Sequence, residues 1–133
     1  MLEYNTEVLL GADKISHFCT FAVISFCASL MVLMITSKEF RLIGLSIIWF
    51  ILIMIGVLEE YRQYALPNRT AELWDAVANL IGVTAGILLP FLFSMRRDTK
   101  PVARYFLFFL IILFPFILGL AELNERHFIV WNK

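Results

Sequence analysis

Charge is missing from four long stretches of this chain. No Asp, Glu, Lys or Arg occurs from Ile15 to Ser37, from Leu42 to Leu58, from Ala76 to Met95 or from Tyr105 to Ala121. Each stretch runs about 17–23 residues, which at about 1.5 Å of rise per residue crosses a hydrocarbon layer of roughly 30 Å, the shorter ones with help from their flanks. A soluble bundle is excluded, because four helices apolar on every face would leave too few polar residues to clothe the outside. Cysteine is scarce as well. Cys19 and Cys27 stand eight residues apart on one expected helix, about 12 Å by rise and beyond disulfide reach. No disulfide framework exists, and the two cysteines read as small core or lipid-facing residues. An excess of positive charge is lacking too, since 11 Lys and Arg balance 11 Asp and Glu; nothing points to nucleic acid. The amino-terminal residues MLEYNTEVLLGAD carry acids where a secretory signal would carry bases, so no signal peptide is expected. Phosphate-cradling glycine loops and soluble-hydrolase motifs are likewise missing.

What is present is apolar to an unusual degree, 61% of residues against roughly 45–50% in soluble domains. The fold expected is an all-α integral membrane protein, a single domain 1–133 built as a bundle of four transmembrane helices. The spans are placed near 14–36, 41–64, 71–95 and 101–122, with an interfacial tail at 123–133 anchored by Trp131. Pro67 stops the second helix, Asn68 suits the turn, and Thr70 is the expected cap of the third, with Glu72 in its first turn. Lys38, Arg41, Arg96, Arg97, Lys100 and Arg104 fall at one end of the bundle; Lys14, Arg62, Arg69, Arg126 and Lys133 fall at the other. The positive-inside rule therefore places both termini outside the cytoplasm.

An even number of helices has a further consequence. Asp13, Lys14, His17, Glu60, Gln63, Arg69, Asp75, Asn79 and Glu122 all come out at one end of the bundle. Polar groups at the edge of hydrocarbon need partners, and a polar cup is the natural outcome. On the third helix Asp75, Asn79, Gly82 and Gly86 recur at i, i+4, i+7 and i+11, one narrow stripe. Gly82 and Gly86 read as close-packing positions, whereas Asp75 and Asn79 fit interhelical hydrogen bonding and a binding site equally well. Asp13 and His17 share a face at the start of the first helix, with Lys14 beside them as a snorkelling anchor. Glu59 and Glu60 point in different directions, so one of them must turn inward.

Four short motifs in this order resemble the VanZ-like family of bacterial membrane proteins. They are D-K-x-x-H-F at Asp13 to Phe18, E-x-x-Q at Glu60 to Gln63, P-x-R at Pro67 to Arg69, and D-x-x-x-N-x-x-G-x-x-x-G from Asp75 to Gly86. The resemblance covers roughly residues 13 to 90 and implies a multi-helix domain of the bacterial cytoplasmic membrane. It also implies a link to glycopeptide resistance and a polar pocket that handles lipid head groups or lipid-linked envelope precursors. Carried over, the pocket residues are Asp13, His17, Glu60, Gln63, Arg69, Asp75 and Asn79. Many relatives have an extra helix ahead of the first motif; here the fourth helix, or a partner, is expected to supply that wall.

Two functions follow from different classes. In an enzyme acting on a phosphate-linked lipid, Arg69 and Lys14 would hold the anion, with Gln63 and Asn79 also contacting substrate. Asp13, His17, Glu60 and Asp75 would supply acid, base or nucleophile. In a binding or accessory module, the same cup holds a head group or a glycopeptide without turnover. A divalent ion on Asp13, His17, Glu60 and Asp75 is chemically compatible, but the spacing lacks the definition of a zinc motif, so no metal or other cofactor is assigned. Transport is disfavoured by four helices without an inverted repeat, though a homo-oligomer is compatible with this composition.

Overall fold

A helix that buries serine and lysine while exposing methionine and isoleucine is built for lipid. In the first helix, α1 (Ala12–Ile35), the buried residues are Lys14, Ser25 and Ser29, while Met34 and Ile35 are more than four-fifths exposed. The serine hydroxyls donate back to the carbonyls of Ala22 and Phe26, at 3.1 and 2.8 Å, so neither is left unsatisfied inside the bundle. The computed structural model describes residues 2–4, 6, 10–94, 100–124 and 129–131, with side chains omitted at 2–4, 93, 100–108 and 129–131.

Three more helices follow: α2 (Arg41–Tyr64), α3 (Leu73–Ser94) and α4 (Lys100–Leu123). The chain is thus an all-α, four-helix membrane bundle. Among the described residues, α1, α2 and residues Leu73–Leu92 of α3 are long and apolar enough to cross a membrane, and Phe109–Leu123 of α4 forms a shorter apolar stretch. Arg96, Arg97, Arg126 and Lys133, which weigh on the orientation, lie outside the described residues.

The helix packing is uneven. α1 lies along α3 over most of its length, α2 touches all three others, and α4 leans on α2 with little contact to α3. The α1–α3 contact is close because Gly82 faces the Phe18 carbonyl and Gly86 faces Ser25 and the Ala22 carbonyl. A Cβ at either glycine would enter α1 backbone, the geometry in which small residues let membrane helices approach. Gly56 of α2 makes room in the same way for the Asn79 side chain.

The apolar core runs down one stripe of α2, through Leu45, Trp49, Leu52, Ile53 and Val57, and meets Ala76, Val83 and Ile87 of α3 and Leu113 and Leu120 of α4. Trp49 Nε1 donates to Thr84 Oγ1 at 3.1 Å, and Phe50 stacks on Phe109 at 4.7 Å. Continued by one more turn, the α2 stripe arrives at Glu60. The termini sit together: β1 (Leu2–Tyr4) pairs antiparallel with β2 (Ile129–Trp131), Glu3 opposite Val130. The described part of the tail is therefore paired backbone, which gives N–H and C=O groups partners.

Candidate functional site

Three helices bring charge to the same end of the bundle. α1 and α3 begin there and α2 ends there, so residues from the first turns of two helices meet the last turns of a third. At the centre is Lys14, only 3% exposed. Its Nζ lies 2.8 Å from Asp13 Oδ2 and 3.0 Å from Asp75 Oδ1, and it donates to Glu72 Oε2. An ammonium has three N–H donors, and here three carboxylates surround it. The expected snorkelling anchor is instead a buried counter-ion, because the Glu72 and Asp75 carboxylates leave water together with it, while Asp13 stays exposed at the rim. Lys14 donates hydrogen bonds to Asp13 and Glu72 and pairs with Asp75, so its charge is already matched by carboxylates.

Glu72 enters this group from outside the helix. The helix begins at Leu73, two residues later than expected, and the Glu72 carbonyl accepts from the Asp75 and Ala76 N–H groups. That makes Glu72 the capping position rather than a first-turn acid. Its side chain turns back to Lys14, with Thr70 Oγ1 donating to Glu72 Oε1 at 3.4 Å. In the sequence Glu72 is an ordinary helix-start acid, and its place in the cluster appears only in the fold. The available signal was an acid just ahead of α3 at the bundle end that also holds Lys14.

Glu60 is the inward member of its pair and is fully buried. Its Oε2 accepts from the Glu72 N–H at 3.4 Å, while Oε1 has no hydrogen-bond partner among the described residues. Glu59 turns outward and pairs with Arg62, at 2.7 and 2.5 Å. Gln63 is half-buried beside Glu59.

His17 and Asn79 complete the cluster. His17 Nδ1 and Asn79 Oδ1 are 3.0 Å apart, and Asn79 Nδ2 reaches the Gly56 carbonyl at 3.5 Å. The second contact orients the first: with its NH₂ on a carbonyl, Asn79 presents oxygen to the histidine. His17 Nδ1 must then carry the proton, which leaves the Nε2 lone pair free in the neutral ring. Ligand atoms of His17, Glu60 and Asp75 all lie within 4.8 Å of one another, as do those of Asp13, Glu72 and Asp75.

The remaining candidates stand apart. Arg69 is exposed on the α2–α3 loop beside Asn68, whose φ of 63° makes the turn, and Glu122 is exposed on α4. α4 contributes Tyr61's acceptor, the Phe116 carbonyl at 2.8 Å, and lies next to Asn124, whose Oδ1 accepts from the Leu73 N–H at 3.1 Å. The open side is a groove of about 300 Å³ between α1 and α3, lined by Leu10, Lys14, Ile15, Phe18, Trp74 and Ile81 among others. Trp74, Val77, Ala78 and Ile81 follow one face of α3 over about 10 Å of rise.

Fold and cluster together define a polytopic membrane protein with a buried, acid-rich polar centre at one end. Comparison with family models, with curated proteins and with solved structures gave no match.

Proposed function

We propose that the chain is a VanZ-like protein of the bacterial cytoplasmic membrane that processes the head group of a lipid or lipid-linked envelope precursor at its extracytoplasmic end. A linked role in glycopeptide resistance belongs to the same proposal. The observation that carries it is the α1–α3 groove, an apolar channel along the bundle wall whose lining includes Lys14, the residue that pairs with the acid cluster. Such a groove suits a hydrocarbon chain, and the cluster at its end suits the polar group attached to that chain. Residues of three of the family-like motifs contact one another there, although His17 and Asn79 are 62 positions apart.

In this reading His17, Glu60 and Asp75 supply proton transfer or nucleophilic attack, with Asn79 orienting the histidine. Lys14 and Glu72 hold the framework, and Arg69, exposed on the α2–α3 loop, is the cation proposed to meet an anionic head group. A second reading, a binding module without turnover, is favoured by the engagement of Lys14 with three carboxylates, which makes much of the cluster self-contained.

Mass spectrometry of native lipid extracts separates the two. Extracts are incubated with purified wild type, Asp75→Asn and Glu60→Gln, after checking that the variants fold and insert. A time-dependent product formed by wild type alone supports the enzyme. One lipid class co-purifying in an Arg69-dependent way, with no product, sinks catalysis and leaves the binder.

A further inference from the structure

Two sets of potential ligands overlap at Asp75, and they differ in one respect. The Asp13, Glu72 and Asp75 set surrounds the Lys14 ammonium, a cation supplied by the chain itself. The His17, Glu60 and Asp75 set meets that ammonium only through Asp75, at 3.0 Å, and among the described residues neither His17 nor Glu60 is in ion-pair contact with a lysine or arginine. We infer that His17, Glu60 and Asp75 form a binding site for a divalent transition cation of the Zn²⁺ or Mn²⁺ kind.

Four observations converge on this. The ligand atoms lie within 4.8 Å of one another, and ligands bound to one ion at about 2.0–2.2 Å can be no more than roughly 4.4 Å apart, so small side-chain adjustments suffice. Glu60 Oε1 is a fully buried carboxylate oxygen without a hydrogen-bond partner among the described residues, and in a membrane helix the ionised form of such a group is costly until a cation meets it. The Asn79 contact holds the proton on His17 Nδ1 and so leaves Nε2 as the ring nitrogen with a lone pair to give, the usual way an outer hydrogen bond prepares a metal histidine. Asp75 has two carboxylate oxygens to divide between Lys14 and the ion.

The donor set selects the ion. One imidazole with two carboxylates suits Zn²⁺ or Mn²⁺; Mg²⁺ and Ca²⁺ favour oxygen-only shells, and a copper(I) site would want the thiols. Cys19 and Cys27 are exposed on α1 and belong to neither set. Three protein ligands leave coordination positions open to a ligand oxygen.

The test uses the full chain in detergent micelles, with any histidine tag removed, stripped by chelator and dialysed against Zn²⁺ or Mn²⁺. Metal content is read by inductively coupled plasma mass spectrometry, and Co²⁺ substitution is read by its visible absorption. The expected result is one ion per chain, retained against excess Mg²⁺. His17→Gln and Glu60→Gln should each weaken binding at least tenfold, and Asn79→Ala by about 10–100-fold. Glu59→Gln, outside the set, should bind as wild type does.

Thermal unfolding guards against a trivial loss of fold. Metal-free Glu60→Gln should be at least as stable as metal-free wild type, yet only wild type should gain stability when Zn²⁺ or Mn²⁺ is added. Sub-stoichiometric metal in wild type overturns the site, as does binding that Glu60→Gln and His17→Gln leave unchanged or that Glu59→Gln weakens equally. No lipid enters these measurements, so their failure is distinguishable from failure of the head-group reading.

Discussion

His17 Nδ1 and Asn79 Oδ1 meet at 3.0 Å across 62 positions of sequence, joining the first turns of α1 to the second turn of α3. Asn79 is 1% exposed and also reaches the Gly56 carbonyl of α2, so one amide ties three helices together. Asn79→Ala should lower stability by about 1 kcal/mol, the usual worth of such bonds in membrane and soluble proteins. It should also release the histidine tautomer, visible as a change in the ¹⁵N shifts of the ring. An unchanged tautomer ratio would mean that Asn79 does not orient His17.

Lys14 is shared by three carboxylates. Lys14→Met leaves Asp13, Glu72 and Asp75 without their shared ammonium and should cost about 3–5 kcal/mol, as removal of one partner from a buried pair does. Denaturant unfolding in micelles measures it. Adding Glu72→Gln to Lys14→Met should cost less than the sum of the two single changes, because the two residues share one interaction.

The glycines of α3 should be far less tolerant than a glycine facing a side chain. Gly82→Ala and Gly86→Ala press on α1 backbone and should destabilise by roughly 1–3 kcal/mol through overpacking. Gly44→Ala meets a Val32 methyl and no backbone atom, and should cost less. Equal losses at all three positions in the same unfolding assay would contradict this packing.

Arg69 separates framework from binding. It is exposed on a loop, so Arg69→Ala should alter stability by no more than about 0.5 kcal/mol. Retention of anionic lipid during purification should nevertheless fall several-fold if Arg69 meets the head group. Unchanged lipid retention would remove it from the proposed site.

Much of the architecture was legible because lipid imposes simple demands. Four charge-free stretches of membrane length produced four helices, and the glycine stripe at Gly82 and Gly86 became the α1–α3 contact. The inward turn of Glu60 was readable only through its motif, since α2 is apolar almost all round and periodicity cannot mark a face. Glu72 escaped because an acid ahead of a helix has an ordinary role at its N-terminus, and only the fold brings Lys14 to it. Gly56 escaped for a similar reason: its use is to admit Asn79 from another helix.

By itself, then, the order of residues determined the solvent, the number of helices and the end of the bundle at which the polar groups gather. Those depend on segment length and hydropathy, which are local sums. Tertiary structure decided that Lys14 is spent on Asp13, Glu72 and Asp75, that Arg69 stays outside, and that Glu60 keeps one buried oxygen unpartnered. Those depend on how three helices are rotated against one another, and close contact at Gly56, Gly82 and Gly86 sets that rotation.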